Sequence, residues 1–240
     1  MQVLEPVKGN KTTILWKEPG LNLEKSDFVQ LMVDCGALQF GSFTLKSGRT
    51  SPYFFNAARF RTAIQLSGLG EHYAAAIQQS APKATVIFGP AYKGIPLCIT
   101  SAIALARQTK SDVGYLFNRK EEKTHGDKGL FVGQQPTPED RLVIVDDVIT
   151  DGETKREAVA LLREAFDTPI DALVIAFDRM EKGPGGENAL KDFENMTGIP
   201  VIPILTLADL QKVMESSNSP VEASKDNVEA IIKYREQYGL

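Results

Sequence analysis

Cysteine is scarce in this chain of 240 residues: Cys35 and Cys98 are the whole complement, without CxxC spacing and without metal-ligand company. A disulfide scaffold is thereby excluded, and a reducing compartment is the matching expectation. Long apolar runs are missing too. No stretch approaches the roughly 20 apolar residues that a membrane span requires, so no membrane partner is expected. Charge of one sign is in small excess, 27 Lys and Arg against 31 Asp and Glu, and the net −4 offers no general attraction to nucleic acid. The first 20 residues carry Glu5, Lys8, Lys11, Lys17 and Glu18 in place of an apolar signal segment, which points to a cytoplasmic location. The sequons at Asn10 and Asn195 mean nothing without export. No Walker A loop and no GxGxxG occurs. What is there is an ordinary globular composition, 42% hydrophobic, in a length that fits one large domain or two small ones. Such a chain buries a core without staples.

Residues 1–25 have weak periodicity and Gly/Pro breaks, and read as an irregular arm. Ser26 is placed to cap a helix with Asp27 in its first turn and Phe28, Leu31, Met32 and Cys35 on one face. Phe40 to Asn56 is β-like around the turn Lys46-Ser47-Gly48, which predicts a hairpin with a basic tip. Leu66, Leu69, Tyr73, Ala76 and Ile77 give a helical stripe. Then strands at 85–88, 113–117, 142–145, 172–177 and 201–205 alternate with helices at 95–108, 153–165 and 187–196. The end, from Leu207, reads as helical through Tyr234. Strand–helix alternation with β-branched, doubly buried strands predicts an α/β fold: a mostly parallel sheet with helices on both faces. The early hairpin and the final helical segment would form a small cap beside it. In such sheets ligands bind beyond the carboxyl ends of the strands, so each end is a candidate site.

The strongest such end is 141–154. Four apolar residues lead to Asp146-Asp147, then Val148-Ile149-Thr150-Asp151-Gly152-Glu153-Thr154 opens a helix. The turn and helix start offer backbone N–H groups to a phosphate. The two carboxylates can accept from sugar hydroxyls and hold a hydrated Mg²⁺. Together they suit a ribose 5-phosphate, whereas an adjacent Asp pair by itself would be an ordinary loop cap. Gly89-Pro90-Ala91-Tyr92-Lys93-Gly94 also joins a strand to a helix, where small residues let backbone approach an anion and Lys93 adds charge. Asn118 to Gly129 reads as a Gly-bounded loop of mixed charge, by itself a solvated surface. His72 lies in an amphipathic helix, and Phe54 and Phe55 could be core aromatics.

At 141–154 the chain resembles the type I phosphoribosyltransferases, whose phosphoribosyl pyrophosphate (PRPP) motif it matches. Segments 43–56, 88–96, 117–126 and 177–179, in collinear order, narrow the likeness to the orotate phosphoribosyltransferase family. The resemblance runs from about Phe28 to the C-terminus and implies that family's fold, a single domain over 26–240 with a cap from about 26–60 and 206–240. It turns 118–129 into a mobile lid, contributed in trans by the partner of a homodimer. PRPP is then held by Lys46, Tyr92, Lys93, Arg119, Lys120, Lys123, His125, Asp146, Asp147 and the run from Val148 to Thr154. Orotate meets Lys46, Phe54, Phe55, Thr150 and Arg179. Two departures stand out. The arm before Ser26 is longer than compact members need, and Asp151 and Glu153 occupy positions usually small or hydroxyl-bearing, so both are expected to point away from the phosphate.

The reaction implied is orotate plus PRPP giving orotidine 5′-monophosphate and pyrophosphate, with Mg²⁺ held weakly by Asp146 and Asp147. Lys120, Lys123 and His125 would serve the leaving pyrophosphate, with His125 or Lys123 as proton donor, and Asp146 and Asp147 the ribose. A sister enzyme acting on a purine or another pyrimidine is the nearest rival, and segments around Phe54 and Arg179 count against it. A PRPP-sensing regulator would need a basic face or an added helix-turn-helix, which the −4 charge and short arm do not supply.

Overall fold

The computed structural model describes residues 23–45, 48–123, 129–150, 152–183, 186, 188–221 and 225–240, with the side chains of 122, 123 and 225 outside that description. Six strands form the main sheet: β3 (Val86–Phe88), β4 (Gly114–Lys123), β5 (Gly129–Gly133), β6 (Leu142–Asp146), β7 (Ile170–Asp178) and β8 (Val201–Thr206). Their order is β5-β4-β3-β6-β7-β8. Every neighbouring pair is parallel except β4 with β5. The sheet is thus the mostly parallel one that the alternation predicts.

Burial on both faces explains the unbroken apolar strands. Val143, Val145, Val174 and Ala176 point into one core, and Leu142, Ile144, Leu173 and Ile175 into the other, following the period of two. Helices α2 (Ala63–Ser80) and α3 (Gly94–Thr109) contribute to the first core, and α4 (Glu153–Ala165) and α5 (Ala189–Thr197) to the second. Helices α2 and α3 touch closely because Gly70 has no side chain: a Cβ there would stand 2.6 Å from the Thr100 carbonyl oxygen.

The first core continues into α1 (Lys25–Asp34), the hairpin β1 (Leu38–Thr44) and β2 (Thr50–Phe55), α6 (Leu207–Glu215) and α7 (Lys225–Tyr238). Phe28, Met32, Tyr53, Leu207, Leu210, Ile231 and Tyr234 are buried there with Val143 and Val145. Truncating an aromatic such as Tyr53 or Phe28 in this seam would cost about 3–5 kcal/mol.

Three elements differ from the sequence reading. Helix α1 starts earlier than Ser26: Glu24 is its cap residue, and its N–H donates to Asp27 Oδ2 at 3.2 Å, so the acidic residue three places on sets the start. The final helical stretch is two helices, broken where Ser216-Ser217-Asn218-Ser219-Pro220 competes with helical hydrogen bonding. Most consequential, Asn118 to Gly129 is not a loop at its flanks. Strand β4 runs on to Lys123 and pairs antiparallel with β5, with an irregular register between Asn118 and Lys123. Its charged side chains obscured the extension of β4, which beyond Phe117 pairs with the edge strand β5 and not with β3.

Candidate active site

The carboxyl ends of β3, β6 and β7 open on one edge of the sheet. β6 is buried along its whole length and delivers Asp146 and Asp147, each only 6% exposed. Buried carboxylates need partners, and both have them. Asp146 Oδ2 meets Lys155 Nζ at 2.7 Å, and Asp147 Oδ2 meets Lys93 Nζ at 3.0 Å. The other oxygens accept from backbone: Asp147 N–H donates to Asp146 Oδ1 at 2.8 Å and Val148 N–H to Asp147 Oδ1 at 2.9 Å. The main chain is pinned from both sides, since Tyr73 of α2 donates its hydroxyl to the Asp146 carbonyl at 2.7 Å and Ala176 N–H donates to that of Asp147 at 3.0 Å.

The charges follow this arrangement. Burial pushes the Asp146 carboxyl up, with Lys155 opposing it and Asp147 reinforcing it. The hydrogen bond from Lys93 to Asp147, and the charge behind it, push the Lys93 ammonium up. Tyr73 is held protonated, first by burial and then by both carboxylates. Lys155, 14% exposed on the first turn of α4, was not singled out by its sequence. Its signal is its place eight and nine residues after the two carboxylates, one helical turn past Gly152.

Past β6 the chain turns at Gly152, whose φ of +74° favours glycine, and enters α4. The α4 N-terminus offers donors to an anion, with Thr150 and Thr154 exposed beside it. Glu153 is exposed, Ile149 packs against the second core, and Asp151 lies outside the described residues. At β3, Gly89 and Gly94 let the turn fold on itself: a Cβ on Gly89 would stand 2.0 Å from the Gly94 carbonyl oxygen. Asn118 Oδ1 accepts from Ala91 N–H at 3.0 Å, tying this turn to β4. Tyr92 is 67% exposed, and Lys120 Nζ stands 5.2 Å from its ring centroid. Two PRPP candidates, one from the turn after β3 and one from β4, are thus brought together. Arg119 donates from Nη1 to the Gly129 carbonyl at 2.8 Å. Lys46 and His125 fall outside the described residues, as does the Lys123 side chain.

Arg179 follows β7. Its Nε and Nη2 reach Glu181 Oε1 at 2.8 and 2.7 Å, and its guanidinium carbon lies 5.2 Å from the Tyr53 ring centroid. Phe55 packs on Phe177 of β7 with centroids 5.7 Å apart, while Phe54 stacks on Phe43 at 5.5 Å. The adjacent phenylalanines therefore face opposite sides of the hairpin. Glu181, Tyr53 and Tyr234 are the residues around Arg179 that sequence reasoning missed.

A doubly covered, mostly parallel sheet, with paired carboxylates and a glycine turn into a helix at one strand end, defines a type I phosphoribosyltransferase fold. No family model matches the chain. Relatives do: an orotate phosphoribosyltransferase of Cellvibrio japonicus is 46% identical over 216 residues, covering 90% of this chain and 97% of that protein. The crystal structure of the Francisella tularensis orotate phosphoribosyltransferase superposes with a TM-score of 0.76 at 34% identity, over 89% of this chain and 99% of that one. The Mycobacterium tuberculosis enzyme in complex with PRPP shares the fold, with a TM-score of 0.55 at 18% identity over 77% of this chain and 98% of that one. The chain belongs to the orotate phosphoribosyltransferase family.

Proposed function

We propose that this site transfers the 5-phosphoribosyl group of PRPP to orotate, giving orotidine 5′-monophosphate and pyrophosphate, a step in making pyrimidine nucleotides. The observation that carries the reading is the Asp146–Asp147 pair, which meets Lys155 and Lys93 just before the Gly152 turn. The 5′-phosphate sits on the backbone of 150–154 and the ribose hydroxyls on the two carboxylates. Tyr92, Lys93, Arg119, Lys120, Lys123 and His125 serve the pyrophosphate. The orotate ring lies along the hairpin at Phe54 and Phe55, anchored by their backbone, with Lys46 and Thr150 beside it and its carboxylate on Arg179.

No covalent nucleophile is needed. The base nitrogen attacks the anomeric carbon as pyrophosphate departs, so the protein's work is positioning, charge neutralisation and exclusion of water. Lys93 is a shared cation: paired with Asp147 before substrate arrives, its exposed ammonium can turn to pyrophosphate and free Asp147 for the ribose. Among the described residues no cluster of three or more His, Cys, Asp or Glu could cage a metal. Two carboxylates do fit Mg²⁺ that stays largely hydrated and bound to substrate phosphates. Asp146 and Asp147 would hold it, and it would offset charge on the departing oxygens.

The working form is a homodimer in the cytoplasm, with the β4–β5 hairpin serving the partner's site. Ile103 on α3 and Tyr115 on β4 are exposed apolar side chains that a copy of the chain would cover. No helix among the described residues is long and apolar enough to cross a membrane, and the net charge is −4.

Purified protein mixed with orotate, PRPP and Mg²⁺ should consume orotate and release pyrophosphate one for one, and chelation should slow it at least tenfold. Consumption of adenine or hypoxanthine in place of orotate would overturn the substrate assignment.

A further inference from the structure

The orotate end of the site is organised by a carboxylate that no motif points to. Glu181 Oε1 gathers four donor contacts: Arg179 Nε at 2.8 Å, Arg179 Nη2 at 2.7 Å, the Tyr234 hydroxyl at 2.8 Å and the Tyr53 hydroxyl at 3.3 Å. Its second oxygen lies 3.7 Å from Arg49 Nη1. The side chain is 16% exposed, so these contacts replace water. They also come from separate parts of the fold. Tyr53 and Arg49 belong to the hairpin side, Tyr234 to α7, and Arg179 to the end of β7.

The backbone around Glu181 is held as firmly. Lys182 N–H donates to the Tyr238 carbonyl at 3.0 Å and Leu240 N–H to the Met180 carbonyl at 2.9 Å, flanking a bridge between Glu181 and Gly239. The Tyr53 ring packs edge-on against Phe177 and Tyr234. Both phenols remain donors at working pH: burial first, then Glu181, pushes Tyr234 up to about 12, and burial pushes Tyr53 up further.

The effect on Arg179 is directional. Glu181 takes the Nε/Nη2 edge of the guanidinium, and the guanidinium carbon stands over the Tyr53 ring. Nη1 makes no hydrogen bond to a described residue. An arginine fork held by one edge has its other end fixed in space, and pre-organisation of that kind lowers the cost of binding a carboxylate.

We propose that Glu181 is a positioning residue for orotate recognition, clamping Arg179 so that its Nη1 end meets the base's carboxylate, with Tyr53 and Tyr234 holding the clamp. This rests on the reading that Arg179 contacts orotate. The alternative is an ion pair that merely joins the cap to the sheet.

The test measures KM for orotate and for PRPP in Glu181→Gln, Arg179→Ala and the double variant, with thermal melting alongside. Glu181→Gln keeps the volume and removes the charge. It should raise KM for orotate about tenfold and leave KM for PRPP within twofold. In the Arg179→Ala background the same change should add nothing, because the clamp would have lost what it holds. Tyr234→Phe, which removes one donor to Glu181, should raise KM for orotate about threefold and carries the test if Glu181→Gln fails to fold. An unchanged KM for orotate in Glu181→Gln, beside a raised one in Arg179→Ala, would overturn the clamp and leave the Arg179 reading standing. Equal losses for both substrates, tracking a lowered melting temperature, would overturn it in favour of the structural alternative. An unchanged KM for orotate in Arg179→Ala itself would remove the reading on which the clamp rests, and the clamp with it.

Discussion

Asp147→Asn should lower kcat/KM for PRPP by about one to two powers of ten and leave the fold in place. A hydrogen bond to a charged group is worth roughly 1.5–3 kcal/mol, and each 1.4 kcal/mol is a factor of ten. Asparagine keeps the shape and an oxygen for the Val148 N–H, which Asp147 Oδ1 now accepts at 2.9 Å. What it loses is the charge opposite Lys93, whose side chain is 65% exposed and can be solvated when the pair is broken. Little stability is therefore at stake, and the loss falls on the ribose contact. Steady-state kinetics at varied PRPP, with a melting curve, check this. A variant with wild-type kcat/KM for PRPP would remove Asp147 from the site.

Mixing two inactive variants should restore activity. Lys123→Ala damages the hairpin and keeps the pocket; Asp147→Asn damages the pocket and keeps the hairpin. If the hairpin serves the partner's site, each heterodimer holds one site made of two intact halves and one doubly damaged site. Equal mixing with full exchange makes half the dimers mixed, so about a quarter of wild-type activity should return. The geometry behind this is the β4–β5 hairpin, which stands at the β5 edge of the sheet and carries β4 on to Lys123. A basic element that closes only over bound donor also leaves the open site free to release products. No recovery, with exchange verified by mass spectrometry, would confine each hairpin to its own subunit.

Much of this fold was legible because its signals are local. The run Leu142–Val145 is apolar at every position, and a strand buried on both faces leaves no other choice; the glycine turn after it marks where α4 begins. The carboxylate pair and Arg179 were legible for the same reason, each standing at a strand end. The partners of these groups were not. Lys155 reaches Asp146 only because α4 turns back over β6, and Tyr53 and Tyr234 meet Glu181 across 128 and 53 residues of chain. The extension of β4 through Asn118–Lys123 was hidden because its charges match those of a solvated loop. Helix α1 was placed two residues late because Ser26 is a better intrinsic cap than Glu24, while the position of Asp27 decides the start.

If both substrates meet beyond the carboxyl ends of β3, β6 and β7, a crystal structure with orotidine 5′-monophosphate bound will show it. The 5′-phosphate should lie on the backbone of 150–154, the ribose hydroxyls within hydrogen-bond distance of Asp146 and Asp147, and the base carboxylate on Arg179. A nucleotide bound with its phosphate away from the Gly152 turn, or its base away from Arg179, would contradict it.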